Sequence, residues 1–218
     1  MSPRWDAVLF DLDGTLADTI PLIVVCLRLT LEEHGLADGY GDAELRRTIG
    51  RPLRETMLSF ASDPQKAEEL RLTYRRLQLD RHDEMVRPFD GALDVLDELA
   101  ATNTPRAIVT SKGREMTDRT MRVCSLDTRF DVSITASDVA NPKPDPEPIH
   151  AALGALGVAP SRRVLMVGDT AHDVEAGRVT GLTTVAVSWG AGESTSLELA
   201  RPDHLIDRVA DLREIVPG

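Results

Sequence analysis

AVLFDLDGT, at residues 7–15, is the stretch of sequence that decides the fold. Its first four residues, Ala7 to Phe10, form a short apolar run of the kind that makes a strand buried on both faces. Similar apolar runs recur at four later places, Ala107 to Thr110, Val132 to Thr135, Val164 to Val167 and Thr183 to Val187. Stretches with helical spacing separate these runs. The alternation predicts an α/β fold, with a doubly wound, mostly parallel sheet and helices on both faces.

A long helical segment interrupts this alternation. About 96 residues separate the first strand from the second, whereas a single crossover helix needs only a dozen or so. From Ile20 to about Met85 the apolar residues recur at three- and four-residue spacing, which is typical of helices. We therefore expect a core of residues 1–16 and 87–218 and an inserted α-helical unit of residues 17–86.

The overall composition is that of an ordinary globular chain. With 218 residues, 42% of them hydrophobic and 28% charged, the chain is long enough for one domain carrying a modest insertion. Its 25 basic and 36 acidic residues give a net charge of −11, which opposes binding to nucleic acid or to anionic membranes. No apolar stretch approaches the roughly 20 residues of a membrane span.

The cysteine content indicates a reducing compartment. Cys26 and Cys124 are the two cysteines of the chain, and they stand 98 positions apart with no C-x-x-C motif. They can form neither a disulfide framework nor a zinc site by themselves. No basic and then apolar leader opens the chain, so we expect a cytoplasmic protein.

Two aspartates follow the first strand directly. Asp11 and Asp13 lie at the carboxyl end of the strand, the edge of an open α/β sheet at which ligands bind, and Gly14 and Thr15 can turn the backbone so that N–H groups converge there. Two carboxylates so close together repel each other unless a cation or a shared proton lies between them, which favours a hard metal such as Mg²⁺. The alternative is a solvated turn in which an aspartate caps the next helix.

A second acidic pair follows the fourth strand, in GDTAHD at residues 168–173. Asp169 and Asp173 are four residues apart and fall on one face if a helix begins there. They point to the same sheet edge as the first pair. The alternative interpretation is a helix cap followed by an acid that complements the helix dipole, and two such pairs at equivalent strand ends weaken it.

Three further polar side chains are predicted at this edge. Thr110 and Ser111 follow the second strand at an expected helix start, where hydroxyls and amides hold phosphate oxygens. Lys143 lies in the proline-rich segment NPKPDPEP, which stiffens the backbone around it. A lysine, a hydroxyl and several acids at one edge indicate a metal-dependent phosphate site, although each residue alone has an ordinary structural explanation.

The ordered set DLDGT, VTSK, NPKP and GDTAHD resembles the four motifs of the haloacid dehalogenase superfamily, specifically its phosphoglycolate-phosphatase-like branch. The resemblance covers essentially the whole chain. It implies a Rossmann-like three-layer core, with the helical insert acting as a cap over the active site. It also implies a Mg²⁺-dependent phosphatase acting on a small phosphorylated metabolite, as a monomer or a homodimer.

The resemblance assigns a role to each motif residue. Asp11 would be the nucleophile that forms an aspartyl-phosphate, and Asp13 the general acid and base. Mg²⁺ would be held by Asp11, the backbone carbonyl of Asp13 and Asp169, with Asp173 acting through water or orienting the shell. Thr110, Ser111 and Lys143 would bind the phosphoryl oxygens.

The insert contributes two candidate substrate contacts. The segment IGRPLRE, residues 49–55, is predicted as a loop between helices and resembles the specificity loop that caps of this branch project toward the substrate. Arg51 and Arg54 would contact a carboxylate or second charged group of the substrate. Pairing of either arginine with acids on the insert surface is the alternative.

Three other activities of the superfamily fit these residues less well than phosphatase activity does. A dehalogenase does not need the acid at position 13, and a phosphonate-cleaving relative needs a cap lysine, for which only Lys66 is available. Ile23 stands where related sugar-phosphate mutases carry a histidine. Inorganic pyrophosphatase activity stays open, as does a non-catalytic phosphate-binding module, although retention of Asp11 and Asp13 favours an enzyme.

Overall fold

The computed structural model describes residues 5–215, so the outermost residues of the predicted core, 1–4 and 216–218, lie outside the described part. Six strands form the main sheet. They are β1 (Ala7–Phe10), β4 (Arg106–Val109), β5 (Val132–Ile134), β6 (Val164–Gly168), β7 (Thr183–Val187) and β8 (His204–Ile206). They form one parallel sheet in the order β5-β4-β1-β6-β7-β8. This confirms the predicted α/β class and the five predicted strands to within one residue at either end.

Side chains of the central strand alternate between two hydrophobic layers, as the period of two requires. Val8 and Phe10 pack in one cluster, while Ala7 and Leu9 pack in the other. Residues of α5, α6 and α10 (Ala92–Ala101, Arg114–Val123 and Leu212–Ile215) belong to the first cluster. Residues of α7 and α8 (Glu147–Leu156 and Ala171–Val179) belong to the second, and α9 (Ser194–Ala200) packs on α8. The core therefore has the three layers of a Rossmann-like fold.

The long segment between β1 and β4 is helical from residue 20 to residue 85, apart from its connections. It contains α1, α2, α3 and α4, which span Ile20–Glu33, Asp42–Arg46, Leu53–Phe60 and Pro64–Met85. The first helix packs along the fourth, because both carry apolar residues at helical spacing. We refer to residues 17–86 as the helical insert.

Two small features of the sheet structure were not predicted. Strands β2 (Ala17–Asp18) and β3 (Arg87–Pro88) form an antiparallel pair where the chain leaves and re-enters the core. Strand β8 has only three residues, and its middle residue Leu205 is exposed. An edge strand this short carries no apolar run, so neither the period nor the composition of the sequence indicates it.

The helical insert rests against the core at several points. Arg46 donates to the carbonyl of Gly190, and Arg47 Nε lies 2.6 Å from Glu193 Oε1. At the other end of the insert, His82 Nε2 lies 2.8 Å from Thr120 Oγ1 of α6. These contacts place the insert over the carboxyl edge of the sheet.

Two further findings bear on the expected cellular setting. Both cysteines, Cys26 and Cys124, are free and buried. None of the helices between residues 5 and 215 combines the length and the apolar composition that crossing a bilayer requires.

Candidate active site

Strand register brings the four motifs to one edge of the sheet. Phe10 of β1 is paired with Ile108 of β4 on one side and with Val167 of β6 on the other. The residues that follow these strands therefore emerge side by side. The chain adds strands on one side of β1 and then on the other, and the crevice at such a switch point is where ligands bind in open α/β sheets.

Three carboxylates meet beneath this edge. Asp11, Asp169 and Asp173 each offer an oxygen atom within 4.8 Å of the others, and all three residues are buried. A set of carboxylate oxygens with no imidazole or thiolate is the donor set of a hard divalent cation such as Mg²⁺. The residues present therefore fit the metal that the motifs predict.

Burial and mutual repulsion disfavour full ionisation of this cluster. Burial raises the pKa of Asp11, Lys143 partly offsets this rise and Asp173 adds to it, so that the net pKa is about 7. The pKa of Asp169 is raised well above its ordinary value by burial and by the neighbouring Asp11 and Asp173. A divalent cation bound here would remove much of this penalty.

Asp169 is fixed by the loops around it. Ala191 N–H donates to its Oδ2 at 2.6 Å, and Thr15 Oγ1 donates to its Oδ1 at 3.3 Å. A Cβ atom on Gly14 or Gly190 would come within 2.3 Å or 2.2 Å of Asp169 Oδ2, so both positions require glycine. Close backbone approach from two loops thus holds this carboxylate in place.

Gly14 and Thr15 were predicted to bind substrate, but in the structure their amides bond within their own loop. Their amides donate to carbonyls inside their own loop, those of Ala17 and Leu12. Neither residue is among the described residues that line the cavity above the site. The tight turn uses these N–H groups itself, so the residues support Asp169 instead of facing a ligand.

Asp173 combines the two interpretations that its sequence position allowed. Its Oδ2 accepts from Thr170 N–H at 3.0 Å, as in a capping box at the start of α8, and it also accepts from Thr170 Oγ1 at 2.7 Å. Its Oδ1 accepts from Lys143 Nζ at 2.5 Å. The residue is therefore both a helix cap and a member of the acidic cluster.

Lys143 lies at the centre of the buried charges. Its Nζ donates to Asp11 Oδ1 at 2.8 Å, to Asp173 Oδ1 at 2.5 Å and to the carbonyl of Val109 at 2.6 Å. Burial alone lowers the pKa of this amine, but the two aspartates outweigh burial and raise it. The lysine stays charged, and its three protons match its three acceptors.

Asp13 lies beside the cluster with a partner that the sequence interpretation missed. Lys112 Nζ donates to Asp13 Oδ1 at 2.6 Å, and the lysine side chain is only 7% exposed. Lys112 belongs to the VTSK motif, whose hydroxyl residues alone were singled out. The sequence signal was its position directly after Ser111, and nothing local shows that its side chain turns toward Asp13.

The hydroxyl residues of the same motif follow strand β4 at the carboxyl edge of the sheet. Thr110 is buried, and its Oγ1 accepts from Lys112 N–H at 3.2 Å. Ser111 Oγ is buried with no hydrogen-bond partner among the described residues. Both residues line the cavity above the site, and the unpaired hydroxyl is a donor available to a phosphoryl oxygen.

A cavity of about 480 Å³ separates the acidic edge from the helical insert. Its floor includes Asp11 and Asp13, while Lys143, Asp169 and Asp173 lie behind that floor. The insert supplies the opposite wall, including Ile23, Arg51, Arg54, Tyr74 and Gln78. The space suits a small molecule enclosed between insert and core.

Both predicted insert arginines line this cavity, but the assignment of Arg54 to a loop is wrong. Pro52 is the N-cap of α3, so Arg54 lies in the first turn of that helix. Neither Arg51 nor Arg54 pairs with another described residue, so pairing with surface acids, the alternative left open by the sequence, does not occur within residues 5–215. Gly50, with φ of +96°, packs on Thr170, where a Cβ atom would approach Cγ2 to 2.9 Å.

Known proteins are similar to this chain over nearly its whole length. The family model for haloacid dehalogenase-like hydrolases matches residues 8–187. Pyrophosphatase PpaX of Bacillus velezensis is 36% identical over 212 residues, which cover 97% of this chain and 96% of that protein.

Solved structures of similar proteins share the fold of this chain. The crystal structure of a haloacid dehalogenase-like hydrolase from Bacteroides fragilis superimposes with a TM-score of 0.87 at 29% identity, over 95% of this chain and 99% of that one. A predicted phosphoglycolate phosphatase from Haemophilus somnus has the same TM-score at 20% identity, over 97% and 98% of the two chains, and supports the fold alone.

Proposed function

This chain belongs to the haloacid dehalogenase-like hydrolase family, and from that membership we propose that it is a Mg²⁺-dependent phosphatase that hydrolyses a small phosphate monoester through an aspartyl-phosphate. One observation carries the proposal most directly. Asp11 and Asp13 line the same cavity from positions two residues apart in the loop after β1, and Lys143, Asp169 and Asp173 cluster around Asp11.

The proposed reaction has two steps, in which Asp11 and Asp13 have separate roles. In the first, an oxygen of Asp11 bonds to phosphorus, the bond from phosphorus to the leaving oxygen breaks, and Asp13 gives that oxygen a proton. In the second, Asp13 takes a proton from water, the water oxygen bonds to phosphorus, and the bond to Asp11 breaks. The products are the alcohol and inorganic phosphate, and both aspartates are regenerated.

The remaining charged residues would stabilise the phosphoryl group. Asp11, the backbone carbonyl of Asp13 and Asp169 would hold Mg²⁺, with Asp173 beside them. The ion would neutralise charge on the phosphoryl oxygens and align them. Thr110 and Ser111 would donate to the same oxygens, and Lys143 would offset the charge between Asp11 and the phosphate.

The helical insert, residues 17–86, would act as a cap that excludes bulk water. Its wall closes a cavity large enough for a small phosphorylated metabolite and too small for a folded phosphoprotein. Arg51 and Arg54 would contact the part of the substrate beyond the phosphate. We propose action in the cytoplasm, which the two buried, free cysteines support, and a monomer or homodimer as the working unit.

Hydrolysis of p-nitrophenyl phosphate with Mg²⁺, and with EDTA as a control, tests the proposal. We expect Asp11→Asn to lower kcat by more than about 10³-fold, because no nucleophile is left, and Asp13→Asn to lower it by about 10²- to 10⁴-fold. Asp38→Asn, at an exposed aspartate of the insert, is the matched control. Metal-independent turnover, or wild-type rates in Asp11→Asn, would refute the assignment.

Inorganic pyrophosphate hydrolysis is the second candidate. It is favoured by the relatives of 36 to 37% identity that are named Pyrophosphatase PpaX. The same two aspartates serve this reaction, with phosphate as the leaving group. A panel of small phosphate esters and pyrophosphate, compared by kcat/KM at limiting concentration, separates the two candidates. Ile23 faces the cavity in place of a histidine, so we do not propose mutase activity.

A further inference from the structure

Lys112 is held at both its backbone and its side chain. Its N–H donates to Thr110 Oγ1 at 3.2 Å, and its carbonyl accepts from the N–H of Ala136 at 3.0 Å. Its ammonium group donates to Asp13 Oδ1 at 2.6 Å. A long, flexible side chain has thus been fixed in one position on the cavity floor, so little ordering is needed when a ligand binds.

The two lysines of the site differ in how many acceptors they have. Lys143 has three acceptors for its three protons, as described above. Lys112 lines the cavity, and within residues 5–215 Asp13 is the single acceptor of its ammonium group. An ammonium carries three donors, so Lys112 has N–H groups left for a ligand.

Among the ion-paired cations that line the cavity, Lys112 is the least exposed. Its side chain is 7% exposed, against 27% for Arg75 and 33% for Arg71. Arg75 pairs with Glu115 and Arg71 with Glu68, both of which are exposed surface acids. A buried charge is screened less by water and salt than an exposed one, which favours Lys112 as a contact for an anionic group.

We propose that Lys112 is a specificity residue that binds a negative charge on the leaving group. Substrates of this chain would then carry a carboxylate or a second phosphate next to the scissile bond. The inference rests on the proposed function, in which Asp13 protonates the leaving oxygen. Because Lys112 donates to Asp13, the residue that would protonate the leaving oxygen, a charged group attached to that oxygen would lie near the Lys112 ammonium group.

A matched pair of substrates tests this contact. The leaving groups of 2-phosphoglycolate and 2-hydroxyethyl phosphate differ only in a carboxylate in place of a hydroxymethyl group. We expect wild-type protein to prefer phosphoglycolate in kcat/KM, and Lys112→Met to reduce that preference by about 10- to 100-fold, mainly through KM. Lys112→Arg, which keeps the charge, should restore part of it. Arg76→Met, at an exposed arginine that pairs with Glu33 away from the cavity, should leave the preference unchanged.

The ratio of kcat/KM for the two substrates distinguishes a specificity role of Lys112 from a structural role. If Lys112 only positions Asp13 or stabilises the fold, Lys112→Met will lower kcat/KM equally for both substrates and leave the ratio unchanged. That result would overturn the inference, and so would an unchanged preference at wild-type rates. Pyrophosphate and p-nitrophenyl phosphate are assayed beside the pair. The comparison shows whether Lys112 also recognises a second phosphate in the leaving group.

A binding measurement keeps the inference testable if the proposed function fails. Methylenediphosphonate and methylphosphonate are not hydrolysed and differ by one anionic group. With Mg²⁺ present, calorimetry should show tighter binding of the diphosphonate to wild-type protein, and Lys112→Met should remove that difference. Absence of turnover in all proteins, with this pattern of binding retained, would overturn the phosphatase proposal and support the role of Lys112. Equal binding of both compounds by wild-type protein would overturn the inference itself.

Discussion

At the scale of single residues, the site depends on carboxylates that are buried and crowded. Asp169 is held by one backbone amide, one hydroxyl and two glycines that leave no space for a side chain. Asp173 is held by the helix start that it caps. These hydrogen bonds and packing contacts hold the carboxylate oxygens of Asp169 and Asp173 in defined positions. A divalent ion with strict coordination geometry requires such positioning.

A methyl group at position 190 should weaken metal binding. In Gly190→Ala the new Cβ would overlap Asp169 Oδ2, so the carboxylate or the loop must shift. We expect the affinity for Mg²⁺ or Mn²⁺, measured by calorimetry, to fall by about 10- to 100-fold. Gly154→Ala is the matched control, because no atom lies within 4 Å of its Cβ and alanine suits helix α7. An unchanged affinity in Gly190→Ala would contradict the assignment of Asp169.

At the scale of elements, the strands were predictable because they are buried on both faces. Strands β1, β6 and β7 are continuous apolar or β-branched runs, and the helices show apolar residues at regular spacing. The elements that were missed or misplaced are short or polar. Strand β8 is one, and the start of α3, where Pro52 begins a helix instead of continuing a loop, is another.

The last turn of helix α4 contains a buried histidine that should make stability depend on pH. Burial lowers the pKa of His82 and outweighs the opposing effect of Asp83, with Lys112 and Arg119 lowering it further. The unfolded chain, with an ordinary histidine pKa of about 6.5, therefore binds the proton more readily than the folded chain. Stability is thus lost as the pH falls below about 6.5, by at most about 1.4 kcal/mol per pH unit.

Urea unfolding at pH 7.5 and pH 5.5 measures this effect. We expect His82→Gln to be less stable than wild type at pH 7.5, because its contact with Thr120 changes, and to lose less stability on acidification. His150→Gln, at an exposed histidine of α7, should retain the wild-type difference between the two pH values. An identical pH dependence in wild type and His82→Gln would show that His82 titrates normally.

At the scale of the whole molecule, the insert and the core enclose the site together. Helix α2 reaches the core loop whose Ala191 amide holds Asp169, since Arg46 donates to Gly190 and Arg47 pairs with Glu193. The two-stranded pair β2–β3 ties the two connections of the insert together. Contacts at both ends of the insert therefore determine the shape of the cavity.

Metal removal should lower the stability of the entire fold. Mg²⁺ at about 100 times its Kd stabilises a protein by about 2.7 kcal/mol, which corresponds to about 5–10 °C in Tm for a chain of this size. We expect that shift for wild type between EDTA and saturating Mg²⁺. Asp169→Asn should show little shift, and in EDTA it should melt above wild type because one buried, repelled carboxylate is gone. A full Mg²⁺ shift in Asp169→Asn would place the ion elsewhere.

The sequence by itself determined the fold class, the position of the helical insert and the candidate site residues at strand ends. Buried strands and amphipathic helices have local periods, and DLDGT, VTSK, NPKP and GDTAHD keep their order along the chain. Register then requires residues after neighbouring parallel strands to meet.

Only the tertiary structure decided how those residues are supported and paired. It brought Lys112 to Asp13 across 99 positions, set the amide of Ala191 against Asp169 and used the amides of Gly14 and Thr15 inside their own turn. The physical reason is that nearly every residue carries the same backbone amide and a lysine side chain can turn in many directions. The sequence therefore does not indicate which amide or which lysine will make a given contact, because that depends on how the folded chain packs.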